Sequence, residues 1–448
     1  QMAVTGLKIT SIRTSSASPV TAICLLSMNA TVVVKIMALC CGAALAAEST
    51  CNDYKSEDVC KADTTTGGGC SWCKSAAVPS ACYTKDEASQ LPSAVFDCSS
   101  LHPERLAQLR EIKSTPGLLW KAEVVDRFAS EAPGASKPLN GVKGDWKAAV
   151  EAAVKSGKIK PFVPDTELGA MAIPEEFDSA ANWPQCAKII GDIRDQSMCG
   201  CCWAFAAAEA ASDRMCIASN ATVMLPLSAE DVCFCASVDG CDGGQIDVPW
   251  EYIKSKGAVS GGQYHGTGPF GKGFCSNYAF PHCHHHGPQG DDPYPAEGTK
   301  GCPSQKSPQC PKQCDDEASD AHKDFMSDKY SFAGEVLTAS GVKGVQQMIM
   351  KGGPVETAFT VYSDFENYAG GIYHHVTGSF AGGHAVKIVG WGVEDGVKYW
   401  KVANSWNPWW AEKGYFRIKF GECGIDDQVV GSSPDAKWSK GATRSVVV

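Results

Sequence analysis

The sequence lacks any excess of positive charge. Its 448 residues carry 40 Lys and Arg against 50 Asp and Glu, which gives a formal net charge of −10 at pH 7. This balance argues against nucleic acid or an anionic membrane as the main partner. The sequence also lacks an apolar run of membrane-spanning length after residue 47. We therefore expect the mature protein to be soluble and to have no membrane contact once a signal segment is removed.

Cysteine, by contrast, is abundant. The chain has 23 cysteines, far more than an ordinary reduced cytosolic enzyme would carry. This abundance indicates an oxidising compartment. Because the count is odd, at least one thiol is unpaired or pairs outside the chain. The length is sufficient for two or three domains with at least one sizeable core.

The N-terminal residues predict export. The chain opens with Gln1, and Met28 begins the stretch MNATVVVKIMALCCGAALAAEST, which has one Lys, an apolar run and a small-residue end. We interpret 1–47 as a doubtful extension followed by a signal peptide that starts at Met28 and is cleaved near Ala46–Ala47. A membrane anchor is the alternative, but Lys35 interrupts the apolar run and the run is too short.

A compact cysteine-rich module is predicted over 48–98. The stretch is rich in Gly, Ser and Thr and contains six cysteines: Cys51, Cys60, Cys70, Cys73, Cys82 and Cys98. Its GCSWC (69–73) loosely resembles the plexin–semaphorin–integrin type of module. Such density favours a disulfide-stapled module in a secreted protein. A zinc site is the alternative.

Residues 99–172 have a different character, with no cysteine and many Lys, Glu and Ala. Within GDWKAAVEAAVKSG (144–157), four apolar residues share one face at helical spacing: Trp146, Val150, Ala153 and Val154. A segment with so little core of its own should dock on another domain. It is either a linker helix or a pro-segment that covers a groove.

Three cysteines crowd the stretch DQSMCGCCWAF (195–205): Cys199, Cys201 and Cys202. The Ala-rich AFAAAEAASDRMC that follows Trp203 is a strong helix former, so Cys202 should lie in the first turn of a helix. The helix dipole favours an anion there, and we expect it to lower the pKa of the Cys202 thiol.

A base and an orienting amide follow in the sequence. His384 lies in AGGHAVKIVGWG (381–392), whose alternation predicts a strand, and YWKVANSWNPWW (399–410) predicts a second strand that ends at Asn404. An amide can accept the ring N–H of an imidazole and fix its orientation, while an aromatic wall excludes water. Cys, His and Asn in these settings predict nucleophilic catalysis.

The motifs QSMCGCCWAF, GGHAVKIVGWG and ANSWN resemble the catalytic blocks of papain-like cysteine peptidases, and the cathepsin B-like subgroup fits best. The resemblance covers 173–435 and leaves 436–448 as a C-terminal tail. It implies an α+β fold of two lobes, one helical and one a β-barrel, with the cleft between them. By position, Cys202 is the nucleophile, His384 the base and acid, Asn404 the orienting amide, and Gln196 the oxyanion-hole partner of the Cys202 backbone N–H.

The resemblance also implies substrate-binding positions, namely Gly243, Gly244, Gly383, Ala385, Trp406 and Gln428. Gln428, in CGIDDQVV, stands where cathepsin B has an acid that accepts Arg two residues before the cleaved bond. A neutral amide forfeits that charge-assisted bond. The resemblance therefore predicts a preference for apolar residues over Arg there, unless Asp426 or Asp427 substitutes.

The stretch 278–302 resembles the occluding loop of cathepsin B. His285 and His286 align with the histidines that bind a substrate's C-terminal carboxylate and direct removal of dipeptides. A zinc site is the alternative for the loop's cluster, His282, Cys283, His284, His285 and His286, but neighbours in a row rarely chelate together. Asp195 aligns with one acid that latches the loop, and Trp409 occupies the place of the second. A loop with one latch missing should open more easily. Endopeptidase cleavage is therefore expected to increase relative to dipeptide removal as the pH rises past about 6.5, where the loop histidines lose their positive charge.

The resemblance further implies disulfides, which sequence alone cannot pair. The implied pairs are Cys186–Cys216, Cys199–Cys241, Cys235–Cys310, Cys275–Cys314 and Cys283–Cys302. Cys201 stands where the family normally has Ser, and it remains unassigned together with Cys233 and Cys423. The sequon at Asn220 predicts either a glycan or an unmodified turn.

Two other function classes compete. Cys199 and Cys202 form a C-x-x-C at a helix start, which is typical of a thiol-disulfide oxidoreductase. An inactive secreted binding protein is favoured by Cys201 and by Ala411, where the family usually has Gly. The interpretation we carry forward is a secreted or lysosome-like, monomeric cysteine endopeptidase. It acts on proteins and peptides, is inhibited by its pro-segment (99–172), and needs no metal or cofactor.

Overall fold

The computed structural model describes residues 51–56, 59–60, 70–75, 78–92, 95–98, 102–129, 131–281 and 305–441. Three predictions lie outside these ranges: the signal peptide, the loop histidines His285 and His286, and the pairing of Cys283 with Cys302. Within the described ranges, no helix is both long enough and apolar enough to cross a membrane.

The N-terminal module is a small antiparallel sheet held by disulfides. Its strands are β1 (Cys70–Ser75), β2 (Ala81–Thr84) and β3 (Phe96–Cys98), in the order β2-β1-β3. Helix α1 (Lys85–Gln90) begins at a capping box between Thr84 and Glu87. The six cysteines pair as Cys51–Cys70, Cys60–Cys82 and Cys73–Cys98. The module is therefore stapled by disulfides, as its cysteine density predicts.

The segment predicted to cover a groove is folded over its described residues, 102–129 and 131–172. Its elements are α2 (Pro103–Lys113), β4 (Trp120–Ala122), α3 (Asp126–Ala129), α4 (Trp146–Lys155), β5 (Ile159–Pro161) and α5 (Thr166–Ala170). Helix α4 is the one its periodicity predicts. The Asp145 side chain caps its first turn, and Trp146, Val150 and Ala153 are buried. Buried Arg105 of α2 pairs with Glu366 of the sheet lobe at 2.9 Å.

The helical lobe follows. Its elements are β6 (Phe177–Asp178), α6 (Ser179–Asn182), α7 (Ala187–Ile190), α8 (Cys202–Ala218), α9 (Ala229–Ala236) and α10 (Val248–Lys256). Every residue of α8 from Cys202 to Cys216 is buried. Its run of alanines lets α9, α10 and the strand Phe380–Glu394 of the sheet lobe pack closely against it.

The sheet lobe supplies the second wall. Its elements are β7 (Tyr330–Ala333), β8 (Val336–Ala339), α11 (Gly341–Gly352), β9 (Val355–Tyr362), β10 (Tyr368–Tyr373), β11 (Phe380–Glu394), β12 (Val397–Ala403), β13 (Tyr415–Lys419), β14 (Val429–Ser432) and β15 (Lys437–Lys440). Strand β15 pairs with β7. Residues 437–440 are therefore part of the fold, whereas the sequence predicted a tail from 436 onward.

One mixed sheet runs through the molecule in the order β4-β10-β13-β12-β11-β9-β14-β8-β5, and β6 pairs with β11. Its two edge strands, β4 and β5, both come from the segment 99–172. Between the lobes, Val142 and Trp146 of that segment lie in one buried cluster with Cys202, Ala358 and Ala385. The expected α+β arrangement of a helical lobe, a sheet lobe and a covering segment is thus confirmed.

Candidate active site

Cys202 is the first residue of α8 and is fully buried. It is one of two cysteines among the described residues that form no disulfide, and Cys423 is the other. The Cys202 Sγ accepts a hydrogen bond from the backbone N–H of Gly141, at 3.2 Å. Gly141 belongs to the covering segment, so that segment lies directly against the sulfur.

His384 and Asn404 come together across two neighbouring strands. His384 lies near the start of β11, and Asn404 follows directly after the end of β12. The His384 Nε2 and the Asn404 Oδ1 are 2.8 Å apart, which is hydrogen-bonding distance. The Trp406 ring lies 5.1 Å from the imidazole and is itself fully buried, so it shields this pair from water.

Gln196 is held by hydrogen bonds at both ends of its side-chain amide. Its Oε1 accepts from the Ser405 hydroxyl at 2.7 Å, so its Nε2 is aimed the other way. That Nε2 donates to the backbone carbonyls of Cys199 (2.8 Å) and Leu139 (2.9 Å). Leu139 lies in the covering segment, so its carbonyl occupies the donor that the resemblance assigns to the oxyanion.

The covering segment continues through the cleft as an extended chain. Val142 N–H donates to the Gly383 carbonyl (2.9 Å), and Lys143 N–H donates to the Gly244 carbonyl (3.0 Å). Gly244 N–H in turn donates to the Gly141 carbonyl at 2.8 Å. The backbone groups of Gly244 and Gly383, both predicted to bind substrate, therefore hold a peptide from opposite walls.

Glycine is required where the covering segment meets the wall of the cleft. A Cβ on Gly141 would stand 1.8 Å from the Gly200 carbonyl oxygen, and one on Gly244 would stand 2.6 Å from the Trp203 ring. Gly243 has φ +107°, and a Cβ there would meet the Gly141 oxygen at 2.4 Å. Contacts this short leave no room for a side chain, so these glycines allow the backbones to approach each other.

The electrostatics of the covered site correct one expectation. Burial raises the pKa of the Cys202 thiol to about 11, although backbone hydrogen bonds from Ala385, Gly141 and Trp203 favour the thiolate. Burial likewise lowers the pKa of His384 to about 4, against the hydrogen bonds to Asn404 and Leu139. The predicted lowering of the Cys202 pKa by the helix is therefore wrong for this covered state, because desolvation outweighs it.

The pocket position Gln428 is half-buried. Its Oε1 accepts from the Thr338 hydroxyl at 2.9 Å. Neighbouring Asp426 is buried and accepts from Trp400 Nε1 (3.0 Å) and Gly421 N–H (2.9 Å). Asp426 is thus committed to structure. Asp427 forms an ion pair with Lys147 of the covering segment.

The acid assigned to the loop latch, Asp195, is buried, and its carboxylate accepts from Ser197 N–H at 2.7 Å. The guanidinium of Arg127, from α3, donates to the Ser197 carbonyl at 3.1 Å and lies 5.8 Å from the Trp406 ring. The charge of Asp195 favours the protonated guanidinium and opposes the burial that lowers the Arg127 pKa. Arg127 was not singled out from the sequence, and its contacts come from chain far away. Trp409 is half-buried.

Four of the five disulfides implied by the resemblance are present: Cys186–Cys216, Cys199–Cys241, Cys235–Cys310 and Cys275–Cys314. The structure adds a pairing of Cys201 with Cys233, whose Cα atoms are 6.0 Å apart. Cys199 is therefore bonded away from Cys202, so the C-x-x-C of the oxidoreductase alternative is not a redox pair here. The sulfurs of these two neighbouring disulfides all lie within 4.8 Å of one another.

Two further sequence signals have definite places. Asn220 is exposed just beyond the end of α8, with a positive φ of 48°. This position is compatible with a glycan on its side chain and with an unmodified turn. Ala411 also has a positive φ of 47°, a conformation that favours glycine, which explains why relatives would carry Gly there. The occluding-loop histidines lie outside the described residues.

Comparison with known proteins places this chain in one family. Residues 173–433 match the family model "Papain family cysteine protease". Cathepsin B-like cysteine proteinase 6 of Caenorhabditis elegans is 42% identical over 321 residues, 70% of this chain and 80% of that protein. The cathepsin B-like cysteine proteinase of Schistosoma japonicum is 42% identical over 324 residues, 71% of this chain and 87% of that protein.

Among solved structures, the procathepsin B S9 from Trypanosoma congolense has a TM-score of 0.56 and 28% identity, over 77% of this chain and 99% of that chain. That structure is a proform, in keeping with a segment that lies in the cleft of the present chain. The family match spans more than half of the sequence, and both curated relatives are named cathepsin B-like cysteine proteinases. The chain therefore belongs to the papain family of cysteine proteases, within its cathepsin B-like group.

Proposed function

We propose that this cysteine peptidase cleaves internal peptide bonds with Cys202, His384 and Asn404, and that it also removes C-terminal dipeptides. The precursor carries its own pro-segment, 99–172, and is activated by cleavage near Ile173. We place it as a monomer in an acidic compartment of the secretory pathway or outside the cell, in keeping with its disulfides. It acts on proteins and peptides, with no nucleic acid partner and no metal.

The proposed reaction has two halves. The Cys202 thiolate attacks the scissile carbonyl carbon, and the Gln196 Nε2 and the Cys202 backbone N–H hold the oxyanion. Protonated His384 gives its proton to the leaving amine, which forms the acyl-enzyme. Neutral His384 then takes a proton from water, whose oxygen attacks the thioester and releases the new carboxyl product. Asn404 orients the imidazole through the bond to Nε2.

The observation that carries this proposal is the path of the pro-segment. A peptide already lies across the same groups, with the Leu139 carbonyl on Gln196 Nε2 at 2.9 Å and the Gly141 N–H on Cys202 Sγ at 3.2 Å. Burial beneath this peptide keeps the thiol and the imidazole neutral. Once water enters, the α8 dipole favours the Cys202 thiolate. The thiolate and the His384 imidazolium then stabilise each other by their opposite charges.

The nucleophile is tested by Cys202→Ala. We expect this variant to lose peptide cleavage and covalent labelling by an epoxide inhibitor of cysteine peptidases. Cys423→Ser is the matched control, because it removes the other cysteine that forms no disulfide among the described residues and should keep labelling and cleavage. If Cys202→Ala is still labelled after activation, or if Cys423→Ser is the inactive variant, the assignment of the nucleophile fails.

The inhibitory path of the pro-segment is tested by Gly141→Ala. The added methyl group would stand 1.8 Å from the Gly200 oxygen, so the segment must lift from the cleft. We expect the variant precursor to be labelled by a thiol-directed probe at least ten times faster than the wild-type precursor at neutral pH. Gly169→Ala, in helix α5 at a position where a Cβ meets no atom within 4 Å, is the control. Equal labelling of the Gly141 variant and the wild type would contradict this path.

Dipeptide removal is proposed through His285 and His286, which carry a positive charge only at mildly acidic pH. A free-carboxylate substrate and its amidated counterpart should be compared from pH 4.5 to 7.5. We expect preference for the free carboxylate at low pH, loss of that preference above about 6.5, and its reduction in His286→Ala. Equal cleavage of both substrates at every pH would refute a carboxylate-reading role.

A further inference from the structure

Two lysines of the pro-segment form ion pairs with opposite walls of the cleft. Lys143 contacts the carboxylate of Asp242, which ends a 3₁₀ turn (Gly240–Asp242) in the helical lobe. Lys147 contacts the carboxylate of Asp427, beside Gln428 in the sheet lobe. Both acids are substantially exposed, with 71% and 40% of their side chains accessible. A positive charge therefore sits on each rim of the cleft in the precursor.

The position of these acids follows from the backbone. Gly141 N–H lies on the Cys202 sulfur, and Val142 is paired with both Gly244 and Gly383. Lys143 is the next residue outward from the sulfur, and its N–H donates to the Gly244 carbonyl at 3.0 Å. A substrate held by the same backbone groups would place its third residue before the cleaved bond at this level of the cleft.

Removal of the pro-segment leaves both carboxylates without their lysines. Across the part of the chain that the structure describes, neither Asp242 nor Asp427 has another Lys, Arg or His within ion-pair distance. The deeper pocket at Gln428 carries a neutral amide in place of an acid. The mature cleft thus presents negative charge at its rim and no added charge at that pocket position.

We propose that Asp242 and Asp427 select Lys or Arg at the third residue before the cleaved bond. Lys143 occupies, in the precursor, the charge position that a basic substrate residue takes in the mature enzyme, and Lys147 neutralises the second carboxylate on the opposite rim. This inference rests on the proposed function, because it needs Cys202 as the point from which substrate positions are counted. It moves the basic preference outward, from the second residue before the bond to the third.

The test uses the activated enzyme and three matched substrates, acetyl-Xaa-Leu-Gly-aminomethylcoumarin with Xaa as Lys, norleucine or Glu. Norleucine keeps the carbon chain of Lys and removes the charge. Because exposed ion pairs are weak, we expect kcat/KM for Lys to exceed that for norleucine by roughly 2- to 5-fold per carboxylate, with Glu below norleucine. The advantage should shrink in 0.5 M salt, which screens exposed charges.

The variants Asp242→Asn and Asp427→Asn should each lower the Lys-to-norleucine ratio, and the double variant should bring it near 1. Asp395→Asn is the control, because Asp395 is an exposed residue just past the far end of β11 and should leave the ratio unchanged. A wild-type ratio of 1, or an unchanged ratio in the double variant, overturns the inference while norleucine cleavage still supports a peptidase. Absence of both cleavage and epoxide labelling would overturn the proposed function and this inference together.

Discussion

At the scale of single residues, Gln428 leads to a prediction about substrate preference. Its neutral amide stands where the family's acid would pair with Arg, and its neighbours do not replace that charge. Asp426 is buried and bonded to Trp400 and Gly421. Asp427, which loses Lys147 when the pro-segment is removed, has 40% of its side chain exposed at the rim. The wild-type enzyme is therefore expected to prefer an apolar residue over Arg two residues before the cleaved bond.

Gln428→Glu should reverse this preference. The new carboxylate can still accept from the Thr338 hydroxyl, and it adds a charge-assisted bond to Arg worth about 1.5–3 kcal/mol, or roughly tenfold or more in kcat/KM. The measurement compares Arg-Arg and Phe-Arg coumarin substrates at pH 6. Gln428→Asn is the control that keeps the neutral amide. Efficient wild-type cleavage of Arg-Arg would show that another group supplies the charge.

Placement was predictable where chemistry and position coincide, as for Cys202 at a helix start and for His384 beside Asn404. Their protonation was not, because it depends on what covers them. The sequence around Cys202 predicts a helix start and hence a stabilised thiolate, but Gly141 and Leu139, some 60 residues earlier, exclude water from the sulfur and the imidazole. Burial by distant chain cannot be read from a local motif.

At the scale of elements, a second disulfide fastens the start of α8. Cys201 directly precedes Cys202, and its bond to Cys233 ties the start of α8 to α9 next to the Cys199–Cys241 bond. Because the family normally has Ser at this position, a Ser for Cys201 would be harmless on sequence grounds alone. The structure changes that expectation, because a single substitution leaves a free Cys233 thiol within 4.8 Å of the neighbouring sulfurs.

We predict that Cys201→Ser/Cys233→Ala keeps epoxide labelling but unfolds more easily. Loss of a bond that closes a 32-residue loop should lower the free energy of unfolding by about 2–4 kcal/mol. Cys233→Ala alone should form mispaired disulfides, which peptide mapping detects, because the Cys201 thiol is then free to exchange. If the double variant unfolds at the wild-type denaturant concentration, the bond does not stabilise the fold.

Helices and strands with strong local patterns were predictable, including α4, α8 and β11. The Cys201–Cys233 bond was not, because pairing depends on which segments fold side by side and not on spacing. Strand β15 was missed for a related reason: the four residues Lys437–Lys440 carry a weak pattern and are ordered by pairing with β7.

At the scale of the whole molecule, buried acids tie stability to pH. Burial raises the pKa of Glu209 to about 7 and that of Asp213 to about 6, despite the opposing charges of Lys387 and Arg194. Burial also raises the pKa of Glu230 to about 8, helped by the charge of Asp315. The folded state therefore binds protons that the unfolded state has released.

This difference in bound protons sets the direction in which the free energy of unfolding changes with pH. A carboxyl whose folded pKa is raised stabilises the fold at low pH and loses that contribution as pH rises through the folded value. His384, with its lowered pKa, acts in the opposite sense only below about 6.5. Between pH 6.5 and 8 the acids dominate, and we predict that the free energy of unfolding falls by roughly 1–3 kcal/mol.

Denaturant unfolding at constant ionic strength from pH 5.5 to 8 measures this slope. Glu230→Gln should flatten it, because an amide does not titrate, whereas exposed Asp395→Asn should not. Stability that rises between pH 6.5 and 8 would contradict the prediction. The sequence predicted an acidic compartment from the resemblance alone, and this linkage supplies a physical reason for such a preference.

The two edge strands of the large sheet have a consequence for the timing of activation. Because β4 and β5 both belong to the pro-segment, its removal leaves β10 and β8 as new edges with unpaired backbone N–H and C=O groups. The cut that opens the cleft therefore also creates two places where a foreign extended chain can add as a strand. A strand-adding inhibitor aimed at either edge would ignore the precursor and capture the enzyme only after it has become active.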